Sequence, residues 1–124
     1  MILLLDAHAF LWWIRDEELA DASRASIASP LNDVLVSAAT VWELEIKRAR
    51  GQLQAPDDLV GTIEAAGFSN LPILGEDAVR AGRLPPHHRD PFDRMLVAQA
   101  VRVGATIVSR ARAIPLYDVP VLPA

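Results

Sequence analysis

Four apolar residues, Ile2-Leu3-Leu4-Leu5, run without interruption up to Asp6. A short unbroken run of this kind predicts a strand buried on both faces, as in a parallel sheet covered by helices. Ala7 to about Arg15 reads as a helix, and Asp16–Ser29 as a second, ended by Ser29-Pro30. Val34–Val36 predicts another strand. Ala38–Arg50 predicts a helix closed by Gly51, with Lys47, Arg48 and Arg50 in a last turn that suits the macrodipole. Pro56–Ala66 reads as a helix with Pro at its first position, ended by Gly67. Leu71–Leu74 is a short strand and Glu76–Arg83 a short helix. "LPPHHRD" is a loop, and Pro91–Val103 a helix closed by Gly104. Ala105–Val108 and Val119–Leu122 complete the strands, the last at an edge because prolines flank it. Strands alternating with helical periods predict an α/β fold with a mostly parallel sheet of about five strands.

Length and composition narrow the class. A chain of 124 residues is expected to form a single domain, 1–124, with a core of its own. No apolar run approaches the ~20 residues of a membrane span. The apolar start is interrupted by Asp6 and His8 and lacks a basic leading segment, so it reads as strand and helix, not as a signal peptide. The absence of cysteine excludes a disulfide scaffold, thiol catalysis and cysteine-ligated zinc, and fits a cytoplasmic protein. The formal charge of −4 is unlike that of most nucleic-acid binders. Its distribution changes the picture. From Arg80 to Arg112 there are seven arginines against two acids, a local +5, so the remainder carries −9. That is either a set of solvated helix faces or a basic rim able to hold a polyanion.

The acids fall where a parallel sheet binds ligands, beyond the carboxyl ends of its strands. Asp6 follows the first strand directly; it is suited to cap the next helix, to hold a metal, or both. Glu43 and Glu45 lie on the helix after the second strand and point to different sides, so at most one faces a pocket. In "RDPFDRML", Asp90-Pro91 has the form of an N-cap followed by Pro at the first helical position. Capping accounts for Asp90 but only weakly for Asp93, which stands beside the apolar stripe of Leu96, Val97 and Ala100 and reads as a site residue. His87 and His88 are adjacent in a Pro-rich loop and should face different ways, which argues against a zinc site. Phe10, Trp12 and Trp13 suit core packing or a partner surface.

"LLLDAHAFLWW", "VSAATVWELEIKRARGQL", "LPPHHRDPFDRMLVAQA" and "ATIVSRARAIPLYDVPVL" occur in that order over nearly the whole chain. Together they resemble the PIN-domain ribonucleases of the toxin–antitoxin type, the VapC toxins. The resemblance implies a three-layer PIN-like fold and acids that bind Mg²⁺ or Mn²⁺ for RNA hydrolysis. It maps the first acid onto Asp6, the second onto Glu43 and the third onto Asp93, with Asp90 close to the site. The chain departs from the pattern twice: Ala7 follows the first acid where Thr or Ser is usual, and Ser109-Arg110-Ala111 stands where a fourth Asp is expected at 111.

The implied activity is therefore a metal-dependent endoribonuclease, with a cognate antitoxin as partner and a homodimer as its assembly. Asp6, Glu43 and Asp93 are the expected metal ligands, Ser109 lies nearby, and Arg89, Arg94, Arg110 and Arg112 are candidates for gripping the RNA backbone. The alternative is a catalytically weakened module, lacking the acid at Ala111, that acts by binding antitoxin or RNA. A phosphatase or phospho-acceptor domain ranks below both. The haloacid-type motif needs an Asp where His8 stands, and a receiver domain needs a late lysine, whereas the only lysine is Lys47.

Overall fold

The computed structural model describes all residues, 1–124. Its elements in chain order are β1 (Ile2–Leu5), α1 (Ala7–Arg15), α2 (Asp21–Ala28), β2 (Asp33–Ser37), α3 (Ala38–Ala49), α4 (Leu59–Ala65), β3 (Ser69–Leu71), α5 (Gly75–Arg83), α6 (Pro91–Val103), β4 (Thr106–Ser109) and β5 (Val121–Pro123), with a 3₁₀ turn at Ile114–Leu116 between the last two. The five strands form one sheet in the order β3-β2-β1-β4-β5, and every neighbouring pair is parallel. Because the chain runs outward from β1 first to one edge and later to the other, the order reverses at β1–β4. A crevice opens there, at the carboxyl ends of the strands.

β1 is the centre of this arrangement. Strand side chains alternate between faces. Leu3 and Leu5 join Phe10, Leu44 and Ile63 in the core on one side, while Leu4 joins Leu96, Val97 and Ala100 on the other. All three leucines are fully buried, which explains the unbroken apolar run. Leu5 pairs with Val36 on β2 and Val108 on β4, so Asp6, one residue on, emerges at the crevice.

Several predicted boundaries move, the last strand among them, which starts at Val121 and not Val119; three of the shifts have a reason in the surrounding contacts. The second helix begins at Asp21 and not at Asp16. Asp16 closes α1 in the left-handed conformation (φ 53°), Glu18 also has positive φ, and the intervening turn sinks Leu19 into the core. The fourth helix begins at Leu59, with Asp58 accepting from the Gly61 N–H at 2.9 Å. The expected first turn at Pro56 is instead a loop whose Ala55 and Pro56 carbonyls accept from Arg48. The third strand is Ser69–Leu71, earlier than the predicted Leu71–Leu74, because Asn70 and Leu71 pair with Val36 and Ser37. Pro72 follows and has no N–H to extend the ladder. Its carbonyl accepts from Gln99 and Arg102.

α5 is held to α6 by charge. Arg102 Nε donates to Asp77 Oδ1 at 2.7 Å, and Asp77 Oδ2 accepts from the Leu74 N–H. Burial would raise the Asp77 carboxyl; these bonds and the nearby Arg102 and Arg80 charges outweigh it and hold the group below its ordinary value. No helix is long and apolar enough to cross a membrane.

Candidate functional site

Asp6, Glu43, Asp90 and Asp93 line one cavity of about 520 Å³ at the reversal of strand order, together with Lys47, His88, Arg110, Ala111 and Arg112. Each acid reaches it by a different local route. Asp6 ends β1 and caps α1, its Oδ1 accepting from the Ala9 N–H at 2.8 Å. It is only 5% exposed. Burial pushes its carboxyl above the ordinary value; the Ser109 hydroxyl, the Ala9 N–H and His8 pull the other way, and Glu43 adds to the rise.

Glu43 is buried on α3, which starts at the carboxyl end of β2 with the Ser37 hydroxyl accepting from the Ala39 N–H. Its Oε2 accepts from Lys47 Nζ, one helical turn on, at 2.7 Å. Glu45 points away, exposed, and pairs with Arg48. Trp42 also leaves the core face; it is 63% exposed and meets Phe92 of α6 edge-on at 5.5 Å.

α6 supplies the remaining acids. Asp90 caps it, with Oδ1 accepting from the N–H groups of Phe92 at 2.8 Å and Asp93 at 3.0 Å. Asp93 sits in the first turn, and its Oδ2 stands 2.8 Å from His88 Nε2. Burial lifts the Asp93 carboxyl to about 6; His88 opposes this, while the negative charges of Asp90 and Asp6 raise it further. Carboxylates that raise one another in a half-dry cavity are an arrangement that a divalent cation relieves. The donor set, mostly carboxylate oxygen, is the chemistry that Mg²⁺ and Mn²⁺ accept.

The PIN domain family matches residues 3–119. The chain belongs to the PIN domain family. Solved structures of similar fold include DNA-bound VapBC from Salmonella typhimurium (15% identity, TM-score 0.69, covering 98% of this chain and 97% of that one). FitAcB from Neisseria gonorrhoeae is also similar (22% identity, TM-score 0.67, covering 98% and 96%). A third is VapBC2 from Rickettsia felis bound to a DNA fragment from their promoter (12% identity, TM-score 0.68, covering 98% of both chains). No curated protein matches the sequence at a significant level.

This PIN domain thus gathers Asp6, Glu43, Asp90 and Asp93 at one cavity, with Ser109 against Asp6. The four arginines separate. Arg112 is exposed on the cavity wall. Arg110 shares that wall, but its Nε donates to the Ala124 carbonyl at 2.6 Å, it also donates to the Glu18 carbonyl, and its guanidinium lies 4.2 Å over the Trp12 ring. Arg89 is exposed in the loop and does not line the cavity.

Arg94, a candidate RNA contact on sequence grounds, is turned into the protein. It donates to the carbonyls of Ala81 (2.8 Å), Leu84 (3.0 Å), Pro85 (3.1 Å) and His88 (3.2 Å) and to the Tyr117 hydroxyl (3.3 Å). Its work is to fasten the 84–88 loop to α6. Arg94→Met is therefore expected to lower unfolding free energy in urea by about 2–4 kcal/mol, since it strands several acceptors. A residue serving RNA alone would leave stability within roughly 0.5 kcal/mol of the parent.

Phe10 is wholly buried, and Trp12 and Trp13 pack half-buried against the same core, which favours the packing reading. Two cavity residues, Lys47 and His88, were named in the sequence but not as members of the site. Lys47 had a signal, its spacing of four from Glu43. His88 is distinguished from His87 only by the fold: His87 packs edge-on against Tyr117 at 5.1 Å, while His88 turns to Asp93.

Proposed function

We propose that this chain is a metal-dependent endoribonuclease and the toxin component of a toxin–antitoxin pair. The observation that carries the reading is the convergence of Asp6, Glu43 and Asp93, far apart in sequence, on one cavity at the strand-order reversal. Membership of the PIN domain family and the likeness in fold to VapBC and FitAcB complexes support it. A cognate antitoxin as inhibitor, RNA as substrate, a homodimeric assembly and a cytoplasmic location belong to the same proposal.

In this reading Asp6, Glu43 and Asp93 hold Mg²⁺ or Mn²⁺, directly or through water. Such an ion, when bound, lowers the pKa of a coordinated water and offsets charge on the phosphate. The chain's own groups prepare the site. The Ala9 N–H and Ser109 fix Asp6, Lys47 fixes Glu43 and His88 fixes Asp93, so the carboxylates are oriented in advance. Arg112 flanks the opening with a guanidinium suited to a phosphate oxygen pair, and Arg110 adds its charge to the same wall while Ala124 and Glu18 hold its donors. Four acids and three cations line the cavity, so one divalent cation would turn its formal charge from −1 to +1. That change of sign lets an acidic cavity receive a polyanion.

A second reading follows from Ala111. The position lines the cavity where the resemblance places a carboxylate, so fewer anionic ligands are available and the chain acts chiefly by binding its antitoxin or RNA. One assay separates the two. The purified chain should cut single-stranded RNA with Mg²⁺ or Mn²⁺ and not in EDTA. Cleavage that survives EDTA rejects a metal-dependent nuclease; the absence of cleavage with either metal selects the binding module.

A further inference from the structure

The metal-site reading leaves His88 as a mere orienting partner of Asp93, but the geometry says more. Ligand-capable atoms of His88, Asp90 and Asp93 all lie within 4.8 Å of one another. Ligands ~2.1 Å from one ion stand about 3 Å apart when adjacent and about 4.2 Å apart when opposed. The 2.8 Å between His88 Nε2 and Asp93 Oδ2 is thus close to the spacing of two adjacent ligands. Asp90 spends Oδ1 on the start of α6, and its Oδ2 makes no hydrogen bond within the chain.

The backbone of His88 is anchored from outside this group. Its N–H donates to the Tyr117 hydroxyl at 3.1 Å, and its carbonyl accepts from Arg94 at 3.2 Å. Tyr117 Oη also donates to the Pro85 carbonyl at 2.7 Å, tying down the loop three residues earlier. His88 is half-buried, and the bonds that fasten the loop also fix where its ring stands. A metal-ligating histidine needs this, because its ring must be in place before the ion arrives.

We propose that His88 is itself a metal ligand, joining Asp93 and Asp90 in a mixed nitrogen–oxygen set that prefers a first-row transition-metal cation to Mg²⁺. The proposal rests on the metal-dependent reading above and refines it. Mg²⁺ takes oxygen ligands and gains little from an imidazole, whereas transition-metal cations accept imidazole nitrogen readily. A neutral imidazole also supplies a donor without adding negative charge, in a cavity where Ala111 replaces an expected carboxylate.

The test reads binding, not turnover. Mn²⁺ is titrated into the full chain, and electron spin-echo modulation is recorded for nitrogen coupled to the bound ion. The wild type should show ¹⁴N coupling. His88→Gln should lose it, and should weaken Mn²⁺ binding at least about tenfold while changing Mg²⁺ binding less than about threefold. His8→Gln, which alters the other cavity histidine, should keep the coupling. Bound Mn²⁺ without ¹⁴N coupling, or coupling lost with His8 and not with His88, overturns the proposal and leaves the carboxylate site standing. A wild-type chain that binds neither Mn²⁺ nor Mg²⁺ overturns both. If His88→Gln folds poorly, the wild type and His8→Gln decide together: coupling kept in His8→Gln leaves His88 as its source, and coupling lost there overturns the proposal.

Discussion

Asp93→Asn is expected to reduce RNA cleavage by at least about a hundredfold and, in EDTA near neutral pH, to make the protein more stable. The two effects share one cause. Asp93 titrates at about 6, above its ordinary 3.8, chiefly because it is buried and then because Asp90 and Asp6 add negative charge, against the pull of His88. A carboxyl whose pKa is raised by folding stabilises the folded state while protonated. That contribution is complete below the unfolded value of 3.8 and is lost as pH rises through about 6. A shift of this size corresponds to roughly 3 kcal/mol, discounted to about 1–3 kcal/mol because the side chain keeps some contact with solvent.

Asparagine removes the charge yet can still bond His88. The variant's midpoint of thermal unfolding should rise by about 3–10 °C in EDTA. Its stability should also lack the wild-type decline as pH rises through 6. Mn²⁺ should stabilise the wild type by mass action and the variant little. Asp77 works in the opposite sense: its depressed carboxyl stabilises above 3.8 and stops doing so as pH falls further, so it governs acid unfolding instead. An Asp93→Asn protein that melts lower in EDTA than the wild type, or that cleaves normally, would contradict this account of the cavity.

Ala111→Asp should act the other way on every readout. Position 111 lies two residues past the end of β4, the strand beside β1, and its N–H is already held by the Ser109 hydroxyl at 2.9 Å. A carboxylate there would enter a cavity that holds four others. Without metal the added repulsion should lower the unfolding midpoint. With Mn²⁺ or Mg²⁺ the order should reverse, with metal affinity at least about tenfold tighter, a gain of about 1.4 kcal/mol. Cleavage at limiting metal should rise by at least the same factor. Calorimetric titration and an RNA assay on the same preparation check both. If neither moves, three acids suffice, and the gap at 111 is not what limits this protein.

Much of this cavity was legible before any coordinates. The run Ile2–Leu5 demanded burial on both faces, which fixed a central strand and put Asp6 at its carboxyl end. Asp90-Pro91 and Gly104 marked both ends of α6, because caps and a left-handed glycine are local chemistry. Less legible were the boundaries set by distant partners. Arg48 holds residues 55 and 56 out of a helix, and pairing with β2 sets where β3 begins. Arg94 looked like its neighbours Arg89 and Arg112. Only packing showed that carbonyls from α5 and the following loop surround its guanidinium.

The sequence by itself determined the order of strands and helices and the acids at the end of β1 and the start of α6, because these depend on residue type and spacing along the chain; that Ala111 stands in place of a carboxylate came from the family resemblance. Only the tertiary structure decided that β1 and β4 lie side by side with the strand order reversing between them, and that His88 and not His87 meets Asp93; helix periodicity left Glu43 and Glu45 open, the resemblance named Glu43, and the fold turns Glu43 to the cavity. Those choices depend on which surfaces are buried against one another. Residues five or eighty positions apart come together for reasons of packing that a linear pattern does not contain.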